Sequence, residues 1–152
     1  MSKKHSAVAV FLFLGITSLF VLYKMSHIPV LKDISVATGT MRFEVVTTQE
    51  AQEKGLSGKT AIPSNYGMLF VFKTPDRYGF WMKGMLTPID IVWLTSDGTI
   101  TLIDASVDPG TYPHAFYPPV PVSYVLETKA GFAAEKGWIV GSKIALPPPY
   151  GS

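Results

Sequence analysis

From Ala7 to Tyr23 the chain reads AVAVFLFLGITSLFVLY without a single charge, between Lys3 and Lys4 on one side and Lys24 on the other. A helix of about 17 residues spans roughly 26 Å, against a hydrocarbon core of about 30 Å. Flanking lysines can snorkel across the small shortfall. A cleaved signal peptide would want small residues in an A-x-A-like pattern after the apolar run. Lys24-Met25-Ser26-His27-Ile28-Pro29 offers no such site, so an uncleaved signal-anchor is expected. The organisation that follows is a cytoplasmic tail over 1–6, a transmembrane helix over 7–23, a tether over 24–40, a domain over 41–147 and a C-terminal tail over 148–152. Lys3 and Lys4 precede the run while Lys24 and Lys32 follow it. His5 tips this even count slightly toward the N-terminal side, and because the more basic side stays cytoplasmic the expectation is a single-pass protein with its domain on the extracytoplasmic side. Deleting residues 1–32 is expected to release a soluble folded domain.

The formal charge of +2 belongs to this N-terminal part. Four of the 13 basic residues and one of the 11 acidic residues precede Met41, leaving nine bases against ten acids beyond it. A near-neutral domain has no electrostatic footprint for nucleic acid. Cysteine is absent, which excludes a disulfide framework, a thiol nucleophile and any Cys-ligated metal. His114 is the one histidine beyond the tether, so no zinc set can be assembled from histidines there. The H-E-x-x-H, G-x-S-x-G and phosphate-loop patterns are missing. No cofactor or metal is expected.

Within the domain, Met41 to Val45 alternates as a half-buried strand. Thr47-x-x-Glu50 reads as a capping box for a helix QEAQEK, closed by Gly55. Met68 to Phe72, Gly79 to Lys83, Ile89 to Leu94 and Thr99 to Ile103 read as strands, with Ser96-Asp97-Gly98 turning the last pair into a hairpin. A proline-rich loop over 104–122 leads to a strand from Ser123 to Thr128, a helix from Ala130 to Lys136 and a last strand from Lys143 to Leu146. So many short strands predict an α+β domain, mostly antiparallel β and small and barrel-like, with two short helices.

These segments together resemble the domain of unknown function 192 family. The resemblance rests on Glu53-Lys54-Gly55-Leu56, Gly67-Met68-Leu69-Phe70-Val71-Phe72, Phe80-Trp81-Met82-Lys83, Pro88-Ile89-Asp90-Ile91, Tyr124-Val125-Leu126-Glu127 and Gly141-Ser142, in that order. It implies a compact, mostly antiparallel β domain, commonly exported or membrane-attached, and it implies no activity. The chain departs from the family pattern at Gly84-Met85, Lys59 and Ser142, where relatives carry a polar pair, an arginine and an acid.

Asp90 lies between Ile89 and Ile91 in a strand that is apolar on both faces, where a carboxylate must find donors or neutralise. It is either a ligand anchor or a structural acceptor for loop amides or Lys83. Trp81 and Lys83, on one face of the expected strand, suit a sugar-like or acidic ligand, or form an exposed surface pair. Tyr112, Phe116 and Tyr117 among prolines form an aromatic surface for a glycan or partner, or close one end of the domain. Glu127 completes the set of candidate ligand-binding residues. The leading expectation is a membrane-tethered, non-catalytic domain that binds a small ligand, glycan or protein partner. A glycosidase-like hydrolase using Asp90 with Glu127 or His114, and a structural partner of a membrane complex, are the alternatives.

Overall fold

A computed structural model of the chain describes residues 30–36 and 39–146, with side chains from Met41 onward. The apolar run over 7–23 lies outside the described residues, and among those residues no helix is long and apolar enough to cross a membrane.

The main sheet has six strands: β1 (Val30–Val36), β2 (Gly39–Val46), β3 (Tyr66–Asp76), β5 (Ile89–Leu94), β6 (Ile100–Val107) and β8 (Val122–Lys129). Their spatial order is β1-β2-β3-β8-β5-β6. Two short strands, β4 (Phe80–Trp81) and β7 (Ala115–Phe116), pair separately. The sheet is open rather than barrel-like, because β1 and β6 are edges that do not pair with each other. It is also mixed. β2 and β3 run parallel, which requires a long crossover, and residues 47–65 supply one containing helix α1 (Gln49–Lys54). A second difference concerns the expected tether. β1 lies inside it and pairs along its whole length with β2, so a truncation that spares the sheet must end before Val30 rather than after residue 32.

Each face of the sheet carries its own core. Met41, Phe43, Leu69, Val92, Leu94 and Leu126 face helix α2 (Phe132–Glu135) and Ile144. Met68, Phe70, Ile89, Ile91, Trp93 and Val125 face Leu56, Met82 and Met85 on the other side. The period of two along β5 sends Ile89, Ile91 and Trp93 one way and Val92 and Leu94 the other, and every residue of that strand is buried. Sealing both faces in this way explains its continuous apolar character.

Local signals were less reliable at element ends. Thr48, not Thr47, caps α1, its hydroxyl accepting from the Ala51 amide at 3.3 Å. The third helical position is then Ala51, so no capping box forms. The expected strand over 79–83 stops at Trp81. Gly84 turns the chain with φ 71°, and the Lys83 and Gly84 carbonyls accept from the Ser57 hydroxyl at 2.7 Å and the Gly58 amide at 2.9 Å. Lys143 makes only an isolated bridge to Thr99 instead of opening a strand.

Candidate functional site

The residues singled out from sequence fall into separate places. Asp90 is fully buried on the α2 face of the sheet. Its Oδ1 accepts from the Ser106 amide at 2.8 Å and the Gly131 amide at 3.0 Å, and its Oδ2 accepts from the Ala133 amide at 2.8 Å. Gly131 and Ala133 open α2, which has no side-chain cap of its own, so Asp90 caps that helix from a neighbouring strand. Lys83 is not among its donors; it is exposed in the turn after β4.

Glu127 pairs across β8 and β5 with Ile91, one register step from the Asp90–Thr128 pair. Neighbouring positions on a strand point to opposite faces, and Glu127 therefore lies under α1 while Asp90 lies under α2. The two carboxylates do not converge, so the paired geometry that a glycosidase needs is not formed by them. His114 is exposed and packs edge-on against Phe116 at 4.8 Å. Phe116 packs in turn on the core of the α1 side, so His114 does not meet Asp90 either.

Glu127 does have a cavity. About 180 Å³ opens between α1 and the β4 region, with Glu127, Leu56, Phe70 and Met85 at its inner end. Phe72, Tyr78, Phe80 and Trp81 form one wall, and Gln49, Gln52, Glu53 and Lys54 of α1 form the other. The ring wall is fixed: Phe72 and Tyr78 stack with centroids 3.6 Å apart, and Phe80 meets Phe70 edge-on at 4.8 Å and Trp93 at 5.1 Å. Trp81 is 48% exposed at the rim. Tyr117 lies against Gly79 of the same wall, whereas Tyr112 is exposed beyond it, in the loop before β7. The sequence motifs thus contribute Trp81 and Glu127 to one site but not Lys83 or Asp90. The α1 wall was not anticipated, since a short helix with ordinary stop signals gives no hint of what it covers.

The Glu127 carboxylate is nearly buried, and its Oε2 accepts from the Leu56 amide at 3.2 Å. That amide is delivered by the end of α1, where Gly55 adopts φ 49°. A side chain at Gly55 would press on Oε2 from 3.0 Å, so glycine serves both the backbone turn and the close approach. Among the described residues no second donor and no ammonium offsets the carboxylate. Burial pushes Glu127 up from 4.5 to about 7, and the Leu56 bond opposes it only in part.

The folded protein thus holds a proton that the unfolded chain releases above about pH 4.5. Stability from this group is present in acid and lost as pH rises through about 7, with a total on the order of 3 kcal/mol. Glu127→Gln is expected to remove the dependence and to leave the protein more stable than the wild type near pH 8. Urea unfolding at a series of pH values measures it; equal slopes in the two proteins would mean that water solvates the carboxylate.

On the far side of the α1 C-terminus a second cleft contains Glu44 and Lys59. The Tyr66 hydroxyl donates to Glu44 Oε2, and the Lys59 ammonium sits 5.2 Å from the Tyr66 ring centre. Burial, reinforced by Glu44, holds Tyr66 well above the usual phenol value. Lys59 thus lies over a ring.

The family model for the domain of unknown function 192, described as an uncharacterized ACR, matches residues 32–146. The chain belongs to this family. The family match begins within β1, in agreement with the strand found inside the expected tether. Two crystal structures are similar at a TM-score of 0.68 and 28% identity. One, from Sinorhizobium meliloti 1021, is provisionally described as a transcription regulator; the match covers 74% of this chain and 89% of that one. The other, a protein of unknown function from Novosphingobium aromaticivorans DSM 12444, is matched over 78% of this chain and 85% of its own. No curated protein matches the chain.

Proposed function

We propose that this DUF192 protein is a membrane-anchored, non-catalytic binding protein whose extracytoplasmic domain holds a small ligand in the cavity at Glu127. The observation that carries this reading is the buried carboxylate at the inner end of an open cavity, one oxygen held by the Leu56 amide and the other without a protein donor among the described residues. A group of this kind weakens the fold, so its presence is better explained by a ligand than by stability. The aromatic wall supplies apolar area, and the polar α1 wall supplies orientation, the usual division of labour in a small-molecule site.

A screen of small polar fragments against the full chain in detergent tests the site. Fragments that bind should lose affinity in both Glu127→Gln and Trp81→Ala. Binding that survives both substitutions places the ligand elsewhere.

The anchor rests on the uncharged run from Ala7 to Tyr23. N-terminal sequencing of the protein recovered from membranes is expected to read from the first residues of the chain. A mature start beyond Met25 overturns the anchor. A chain cut just before Val30 should stay folded and leave the membrane fraction.

A protein partner is the second reading. Trp81, Tyr112, Tyr117 and Val120 are all exposed, and exposed aromatic surface suits a partner.

A further inference from the structure

We infer that the ligand of the Glu127 cavity is a small organic cation, its ammonium on Glu127 Oε1 and its carbon body against the aromatic wall. This rests on the reading of that cavity as the binding site and adds the chemical class of what binds. The first ground is the incomplete solvation of the carboxylate. Leu56 gives it one amide hydrogen bond, and the other buried side chains that line the cavity, Phe70 and Met85 among them, are apolar. A buried carboxylate is stabilised most by an opposite charge at hydrogen-bond distance, and none of the described residues places one there.

The second ground is the charge of the lining. Once Glu127 is ionised, it and Glu53 outnumber Lys54, so an anionic ligand would then meet net repulsion. The third is the wall itself, since ring faces attract ammonium groups through their quadrupoles. Trp81 at the rim is exposed enough to offer one. A sugar would draw on donors along α1, but the side-chain amide nitrogens there already hold acceptors, so what this wall offers a ligand is mainly glutamine oxygen, an acceptor suited to a cation. Gln52 Nε2 donates to the Val71 carbonyl at 2.9 Å and Gln49 Nε2 to Glu53 Oε1 at 2.8 Å. The size is also limiting: about 180 Å³ is below the roughly 300–1,000 Å³ of drug-sized sites.

Binding a cation requires the ionised carboxylate and so releases a proton. The other titratable groups around Glu127 are Glu53 and Lys54 on α1, Tyr78 ahead of β4 and Tyr66 on β3. Burial, with Asp76 and Glu44 adding, keeps both phenols above their usual value, so they stay neutral as Glu127 ionises. With Glu127 near 7 in the empty cavity, affinity for a cation should rise about tenfold from about pH 6 to about pH 8.

Titration calorimetry of the full chain in detergent with benzylammonium, benzyl alcohol and N-acetylglucosamine is the test. Benzylammonium is expected to bind with that pH dependence, at least about tenfold more tightly than benzyl alcohol. Glu127→Gln should abolish both the preference and the pH dependence, and Trp81→Leu, at an exposed position, should weaken benzylammonium while leaving its pH dependence in place. Benzyl alcohol or N-acetylglucosamine binding at this cavity as well as the amine does, without pH dependence, overturns the cation but keeps the site. No binding by any of the three overturns both the cation and the cavity as a ligand site.

Discussion

Trp93→Ala is expected to destabilise the domain by about 3–5 kcal/mol, the range for truncating a fully buried aromatic. Trp93 is fully inaccessible near the end of β5 and packs edge-on against Phe80 at 5.1 Å. Its indole Nε1 also donates to Asp104 Oδ2 at 2.8 Å across the β5–β6 pair. Truncation therefore opens a void beneath the ring wall of the cavity and removes the partner of a half-buried carboxylate. Both losses act on the same side of the sheet. The second consequence is functional, because Phe80 would lose the surface that holds its ring upright in the wall. Urea unfolding of a chain lacking the apolar run measures the effect as a lower midpoint at unchanged slope. A loss below about 1 kcal/mol would place the ring outside the core.

What the sequence disclosed, and what it did not, follows from the range of the interactions concerned. β5 was legible because Ile89-Asp90-Ile91-Val92-Trp93-Leu94 carries its own evidence of burial on both faces, and Gly55 marked the end of α1 for purely local reasons. The open sheet was not legible. Whether strands close into a barrel depends on the pairing of β1 and β6, and no local pattern encodes which edges remain free. The parallel β2–β3 pair was hidden for a similar reason, since its crossover looks like any helix followed by a loop. At the site, the family motif ending in Glu127 and the one containing Trp81 each supplied a residue that lines the cavity. The sheet face of Glu127 relative to Asp90 depends on the register between β5 and β8, which sequence periodicity alone does not set. For that reason the pairing of those two acids looked open until the strands were seen side by side.

Asp90→Asn should destabilise the domain by about 1.5–3 kcal/mol, and Asp90→Ala by about 2–4 kcal/mol, without loss of ligand binding at Glu127 in the fraction that folds. The carboxylate spends both oxygens on three backbone amides from two other segments. An asparagine preserves the shape, but its amide group must replace one oxygen. If its remaining oxygen keeps Ser106 and Gly131, the new NH₂ faces the buried Ala133 N–H, and two donors oppose each other. Alanine leaves all three amides without an acceptor; those of exposed Ser106 and Gly131 can turn to water, while that of buried Ala133 cannot. The two exposed residues are held in left-handed backbone, Ser106 with φ 50° and Gly131 with φ 81°. For Ser106 that conformation costs on the order of 1 kcal/mol or more, and the bond to Asp90 is what offsets it. Loss of the carboxylate should therefore loosen the β6 end and the start of α2 together, although the two segments are far apart in sequence. Amide hydrogen exchange should show this as faster exchange at Ser106 and Ala133 in Asp90→Asn, with the amides of β3 little changed. Normal stability in that variant, accompanied by loss of ligand binding, would instead make Asp90 a ligand contact reached through the α2 face.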